Sequence, residues 1–283
     1  MSTSSKTYKD YSFADHAEVY RIIEQVCAAF GIHYYLIGAN ARDVALFRAG
    51  TKPTRGTADV DFAVMLPDME GYEAFKTKLK TQGFEDAHGG MPYRLFHRSS
   101  NTVIDLLPYG QIAQENTVSF TERSVELSTV GMDEVGQHTE AFELKDVGLS
   151  VPVTPAHGIV ILKMIAWSET PSRTKDLDDI ATLLEAAWGL YQDELFVEDA
   201  EHADVFDADD FDTEVAGATV MGRKMNDILM HNSQLKATIN KMIADDLSAT
   251  AGPISVVIAG TMKKDIAHAN RVLTAIQKEI SDS

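Results

Sequence analysis

The chain has 283 residues, 45% hydrophobic and 24% charged, enough for one large domain or two smaller ones with buried cores. Lys plus Arg number 25 against 43 Asp plus Glu, a formal net charge of −18 that argues against a protein coating nucleic acid through a broad basic face. The single cysteine, Cys27, excludes an intrachain disulfide and a cysteine zinc cluster, and no apolar run reaches the length of a membrane-spanning helix. Residues 1–9 are polar and predict no secretory signal, so the expectation is a cytoplasmic globular protein with no membrane partner.

In chain order, residues 15–30 read as a helix with Val19, Ile22, Ile23, Val26 and Phe30 along one face. Residues 33–37 form a short apolar strand ending at Gly38. Residues 41–48 read as a helix, and 50–56 as a Gly/Pro/Thr loop. A strand follows over 59–66, then a helix over 69–82 stopped by Gly83. Residues 93–97 and 102–107 are two strands joined by 98–101, and strand-like pieces continue to about Val153. From Pro155 the pattern turns helical. The expected fold class is α+β: residues 1–154 form a mixed sheet flanked by helices, and 155–283 form a helical domain.

Residues 193–214 interrupt the helical half with 11 acids in 22 residues and no Lys or Arg, supplying −11 of the net charge. The plain expectation is a solvated linker or exposed helix-loop, with a partner-docking strip as the sharper one. An EF-hand counted from Asp207 fails, because Asp212 stands where the loop needs its glycine. Residues 215–283 carry a net charge of +2.

The chemistry concentrates in three carboxylates. Asp59 and Asp61 lie two apart in a strand, so they project from one face while Val60 and Phe62 point into a core. Asp105 sits in the apolar run Val103-Ile104-Asp105-Leu106-Leu107, where an unpaired carboxylate is costly. If the two strands are neighbours, three acids converge, and a hard divalent ion, Mg²⁺ or Mn²⁺, is the natural counter-charge for an all-oxygen site. A salt bridge to Arg or Lys is the ordinary alternative for any one of them. Gly38, between a strand and a helix, suits close approach of a phosphate to a helix N-terminus, and Arg55 and Thr57 lie within reach of such a group.

Gly38-Ala39, then Asp59-Val60-Asp61, then Asp105 resembles the signature of the polymerase-beta-type nucleotidyltransferase superfamily. The Arg55-x-Thr57-x-Asp59-x-Asp61 form, followed by Lys163 on a helix and by Lys175-Asp176-Leu177-Asp178-Asp179, is similar to one branch of it. That branch is the AbiEii/AbiGii-type abortive-infection nucleotidyltransferases, toxin components of type IV toxin–antitoxin pairs. The resemblance spans roughly residues 31–188. Two positions depart from it: Ala39 replaces the usual Ser or Gly, and Lys175 the usual Arg.

The resemblance implies transfer of a nucleoside monophosphate from an NTP such as ATP to an acceptor hydroxyl, with release of pyrophosphate. It makes Asp59, Asp61 and Asp105 the metal ligands. Gly38, Ala39, Arg55, Thr57 and Lys163 contact the nucleotide, and Asp176 and Asp179 orient Lys163 or the base. The acceptor is an RNA such as tRNA, a protein or a small molecule, and a cognate antitoxin is an expected partner. Two other classes stay open: a non-catalytic nucleotide- or antitoxin-binding regulator, and a carboxylate-metal phosphodiesterase. No complete P-loop, H-x-x-x-H pair or G-x-S-x-G element is present, and Trp167, Trp188, Met221 and Met225 read as helix core.

Overall fold

Asp59–Met65 (β2) is the central strand, and its alternation decides what lies on each side of the sheet. Val60, Phe62 and Val64 are fully buried, whereas Asp59 and Asp61 on the opposite face are only partly so. The computed structural model describes residues 11–53, 56–145, 148–197 and 200–281. It divides into two units, residues 1–44 with 52–155, and residues 45–51 with 156–283.

The first unit is built on a seven-stranded mixed sheet. Its other strands are Tyr34–Ile37 (β1), Phe84–Asp86 (β3), Arg94–His97 (β4), Thr102–Tyr109 (β5), Glu140–Leu144 (β8) and Leu149–Val153 (β9), in the order β3-β4-β5-β2-β1-β9-β8. β2 runs parallel to β5 and antiparallel to β1, and β4 runs antiparallel to β5. Thr117–Phe120 (β6) and Val125–Ser128 (β7) form a separate hairpin. Gly38–Ala49 (α2) starts directly at the end of β1, three residues before the pattern placed it. Its first turn, like β1, belongs to the first unit. Met132–Gly136 (α4) is a short helix between the hairpin and β8.

Two amphipathic helices cover the apolar face of the sheet. Ala17–Phe30 (α1) buries Val19, Tyr20, Ile23, Val26 and Cys27, and ends at Gly31, whose φ of 64° closes the helix in the left-handed conformation. Met69–Lys80 (α3) is started by Asp68, which accepts a hydrogen bond from the Gly71 N–H at 2.8 Å, and buries Tyr72, Phe75 and Leu79. The Tyr20 ring meets Phe62 edge-on at 6.0 Å, and Phe30 meets Phe75 at 6.0 Å. Sealing a side chain such as Phe62 is worth about 2–3 kcal/mol, and this fixes which face of β2 turns outward. β3 was not expected from the sequence, because its three residues carry two acids and no alternation.

The second unit is helical: Ala156–Glu169 (α5), Thr174–Glu185 (α6), Ala187–Leu195 (α7), Thr213–Leu229 (α8), Ser233–Ser248 (α9), Pro253–Met262 (α10) and Ile266–Ser281 (α11). Gly222 lets α8 and α11 approach closely, since a Cβ there would stand 2.9 Å from the Ile276 Cα. Met221 and Met225 are fully buried, whereas Trp167 and Trp188 are only partly so. Within the acidic stretch, Ala203–Asp207 makes a 3₁₀ turn and Asp212 caps α8 by accepting from the Glu214 and Val215 N–H groups. Phe206 and Phe211 stack at 5.5 Å and meet Trp188 edge-on, so the stretch is anchored by aromatic contacts. No single helix among the described residues is long and apolar enough to cross a membrane.

Burial pushes the Cys27 thiol up to about 12, so the thiolate is scarce at neutral pH. Native protein at pH 8 is therefore expected to label with a thiol reagent at least about 100-fold more slowly than protein unfolded in guanidinium. Rapid labelling of the native protein would show that the α1 packing is wrong.

Candidate active site

The register of β2 with β5 brings the strand acids together. Asp61 pairs with Asp105, and Asp59 stands opposite Val103. Residues paired across adjacent strands point to the same side, and Asp59 lies two residues before Asp61. All three carboxylates therefore share the outward face of the sheet.

The same face carries a fourth group that sequence reasoning did not single out. Arg94 on β4 pairs in register with Asp105. Its Nε and Nη2 donate to the two Asp105 carboxylate oxygens, each at 2.7 Å, in a bidentate fork. Nη2 also lies 3.2 Å from Asp59 Oδ2. The Asp105 side chain is only 11% exposed, so this fork supplies the compensation its burial requires. The Asp105 hydrogen bond is the main cause that raises the Arg94 pKa, opposed by partial burial and reinforced by the charges of Asp105, Asp59 and Asp61. The ordinary salt-bridge alternative thus holds for Asp105.

Gly38 has a φ of 67°, and a Cβ built there would fall 2.0 Å from Asp61 Oδ2. Only glycine leaves room for the Asp61 carboxylate against the first turn of α2. Asn40, fully buried, donates from Nδ2 to the Asp59 carbonyl at 2.7 Å and ties α2 to the start of β2. Thr57 Oγ1 lies 3.4 Å from both the N and the O of Asp59, closing a local turn. Ala39 is the second residue of α2 and is partly buried. Arg55 lies outside the described residues.

All-oxygen donors on one face suit Mg²⁺ or Mn²⁺ in chemical type. The position of the counter-charge is nevertheless taken by Arg94, so an ion shared by Asp59 and Asp105 requires the guanidinium to withdraw. Among the described residues, the Asp/Glu/His group with donor atoms already within 4.8 Å of one another is a different one: Asp212, Glu214 and His268 in the second unit.

In the second unit, Lys163 on α5 lies between two acids one turn apart on α6. Its Nζ is 2.8 Å from Asp176 Oδ1 and 2.7 Å from Asp179 Oδ2. Both acids are at most 5% exposed, and Arg173 Nε donates to Asp176 Oδ2 at 2.6 Å. Lys163 and the two acids form a largely buried ionic cluster with Arg173 at its exposed edge. Arg173 contributes to it although the sequence pattern drew attention to Lys175.

No family model matches the chain, and no curated protein does. Among solved structures it is similar to an antigenic nucleotidyltransferase-like protein from Paracoccidioides brasiliensis, at 16% identity and a TM-score of 0.38, over 81% of this chain and 93% of that one. At that identity no residue role passes from one protein to the other.

Two substitutions test the geometry. Gly38→Ala is expected to destabilise the first unit by about 2 kcal/mol or more in urea unfolding, through φ strain and the clash with Asp61; an unchanged midpoint would contradict the contact. Arg94→Met leaves Asp105 shielded and unpaired and is expected to cost about 3 kcal/mol. Millimolar Mg²⁺ or Mn²⁺ is expected to raise the melting temperature of this variant more than that of the wild type. Equal shifts would mean that Arg94 and the ion do not compete.

Proposed function

We propose that the first unit carries a metal-dependent nucleotidyl transfer site, and that the protein acts as a toxin component of the AbiEii/AbiGii type in the cytoplasm, held in check by a cognate antitoxin. The observation that supports transfer is the placement of Asp61 opposite Asp105, with Asp59 beside them and the Gly38 turn against Asp61. The toxin assignment rests on the sequence resemblance alone.

In this reading Asp59 and Asp61 hold the ion, and the N–H groups at the start of α2 face the phosphates. A bound Mg²⁺ or Mn²⁺ supplies the charge that gathers the triphosphate and eases loss of the acceptor proton. The acceptor oxygen forms a bond to the α-phosphorus, the bond to the pyrophosphate oxygen breaks, and Asp105, released by Arg94, takes the hydroxyl proton. On the sequence resemblance alone, Lys163, Asp176, Asp179 and Arg55 are assigned to the nucleotide; within the second unit Asp176 and Asp179 set the position of Lys163, and in the first unit Thr57 and Ala39 lie beside the Asp59–Asp61 strand and the Gly38 turn. The acceptor is an RNA such as tRNA, a protein hydroxyl or a small molecule.

One observation favours a second reading. Arg94 already neutralises Asp105 and lies near Asp59, as in a site where the carboxylates are structural and the protein is a non-catalytic regulator.

The deciding experiment supplies α-labelled ATP, CTP, GTP and UTP with Mg²⁺ or Mn²⁺, with total tRNA and the protein itself as acceptors. Wild type is compared with the Asp59→Ala, Asp61→Ala double variant. Label moving to RNA or protein in the wild type, with a loss on the order of a thousandfold in the variant, supports transfer. Release of nucleoside monophosphate alone would replace it with phosphodiester hydrolysis. Absence of metal-dependent NTP binding would overturn it in favour of the structural role.

A further inference from the structure

The second unit holds a group of ligand-type side chains that the proposed transfer chemistry does not use. Asp212 and Glu214 stand at the start of α8, and His268 lies in the first turn of α11, 54 residues beyond Glu214. One donor atom from each lies within 4.8 Å of the others.

Each member is positioned by its own backbone contacts. Asp212 commits Oδ1 to the α8 cap, accepting from the Glu214 N–H at 2.9 Å and the Val215 N–H at 3.1 Å. This leaves Oδ2, which lies 3.8 Å from His268 Nδ1. The His268 N–H donates to Asp265 Oδ1 at 2.8 Å, fixing the entry into α11. On the other side of the imidazole, Nε2 stands 2.5 Å from Glu214 Oε2. Both of those atoms are sealed from solvent, yet the contact lacks the angles of a hydrogen bond. The pair is close enough for an ion contact but leaves both shielded atoms without a directional hydrogen bond, so a cation seated beside them would meet donor atoms that are already gathered.

The neighbouring cations do not fill that role. Lys264 Nζ is 4.0 Å from Glu214 Oε2, and Arg271 Nη1 is 4.0 Å from Asp212 Oδ2. Arg271 is engaged more closely by Asp210, at 2.7 Å. Negative charge is in local surplus: burial and then the Glu214 charge raise the Glu185 pKa, with Lys263 opposing. Asp212 also lines a cavity of about 520 Å³ between the acidic stretch, α8 and α11, whose walls include Arg223, Arg271 and Lys278.

We propose that Asp212, Glu214 and His268 form a binding site for a borderline first-row divalent cation of the Zn²⁺ class. One imidazole nitrogen and two carboxylates are a donor set such ions accept, whereas Mg²⁺ and Ca²⁺ prefer oxygen alone. The carboxylates cancel the 2+ charge. A modest opening of the Glu214–His268 contact gives the ion room, and Asp212 leaves a remaining position toward the cavity for water or a small anion. The ion would staple the start of α8 to the start of α11. This site stands independently of the transfer site in the first unit.

The test uses the full chain with Asp59, Asp61 and Asp105 each changed to Ala, which removes the other carboxylate set. After equilibrium dialysis against micromolar Zn²⁺ in 1 mM Mg²⁺, metal analysis is expected to find one Zn²⁺ per chain. His268→Gln and Glu214→Gln in that background are expected to weaken binding by about 100-fold or more. Circular dichroism identifies any variant that fails to fold. Wild-type protein loaded with Co²⁺ provides a readout that needs no variant at the site: four-coordinate N/O ligation gives strong visible bands, removed by one equivalent of Zn²⁺. Less than one-tenth equivalent of Zn²⁺ in the triple variant, or undiminished binding in folded His268→Gln, would overturn the site.

Discussion

The pairing of β2 with β5 is the constraint from which the rest of the first unit follows. A slip of one residue would turn Asp61 into the apolar layer under α1 and expose Phe62, so burial of Val60, Phe62 and Val64 holds the register. Holding the register forces Asp61 beside Asp105, and a pair of like charges at that spacing cannot stand without compensation. Arg94 provides it, because the antiparallel partner strand delivers a guanidinium to the same point. The sheet and its ionic cluster are therefore one energetic unit: apolar packing on one side sets the electrostatic problem on the other.

Glycine resolves the steric part of the same problem. The chain leaves β1, reverses at Gly38 and enters α2 within contact distance of Asp61. In the second unit the same economy recurs without any site chemistry. Gly217 sits against the backbone of Trp188 and Gly222 against that of Ile276, so α8 packs through backbone contacts on two sides. Backbone proximity of that kind leaves the side chains at the start of α8 to meet those at the start of α11.

Much of this was legible in the sequence because it depends on local periodicity. The two-residue alternation around Asp59 and Asp61, the apolar run around Asp105 and the change to helical spacing after Pro155 all correspond to observed elements. Arg94 was missed although a signal existed: joining strands 93–97 and 102–107 through a four-residue turn pairs His97 with Thr102, and counting back pairs Arg94 with Asp105. Asn40 gave no such signal, since its bond to the Asp59 carbonyl depends on the angle at which α2 leaves the sheet. Asp212, Glu214 and His268 were invisible for a different reason: their proximity is a property of helix packing across 54 residues, which spacing rules do not encode. The acidic stretch read as solvated, and most of its described residues are exposed, Phe206 and Phe211 among them; composition did not show that these two rings stack or that Asp204 and Asp210 pair with Arg223 and Arg271.

For a cation drawn to these carboxylates, the Arg94 fork would be a tethered competitor. A cation that needs Asp59 and Asp105 meets a resident charge that never diffuses away, so its apparent dissociation constant is the intrinsic one divided by the fraction of molecules in which the guanidinium has swung clear. With a fraction of about one in a hundred, affinity falls about 100-fold, or about 2.7 kcal/mol. A ligand that brings its own negative charge, as a polyphosphate does, gives Arg94 a new partner and lifts that penalty. Ion and anion would then load together, each raising the affinity for the other, through one side chain that changes allegiance.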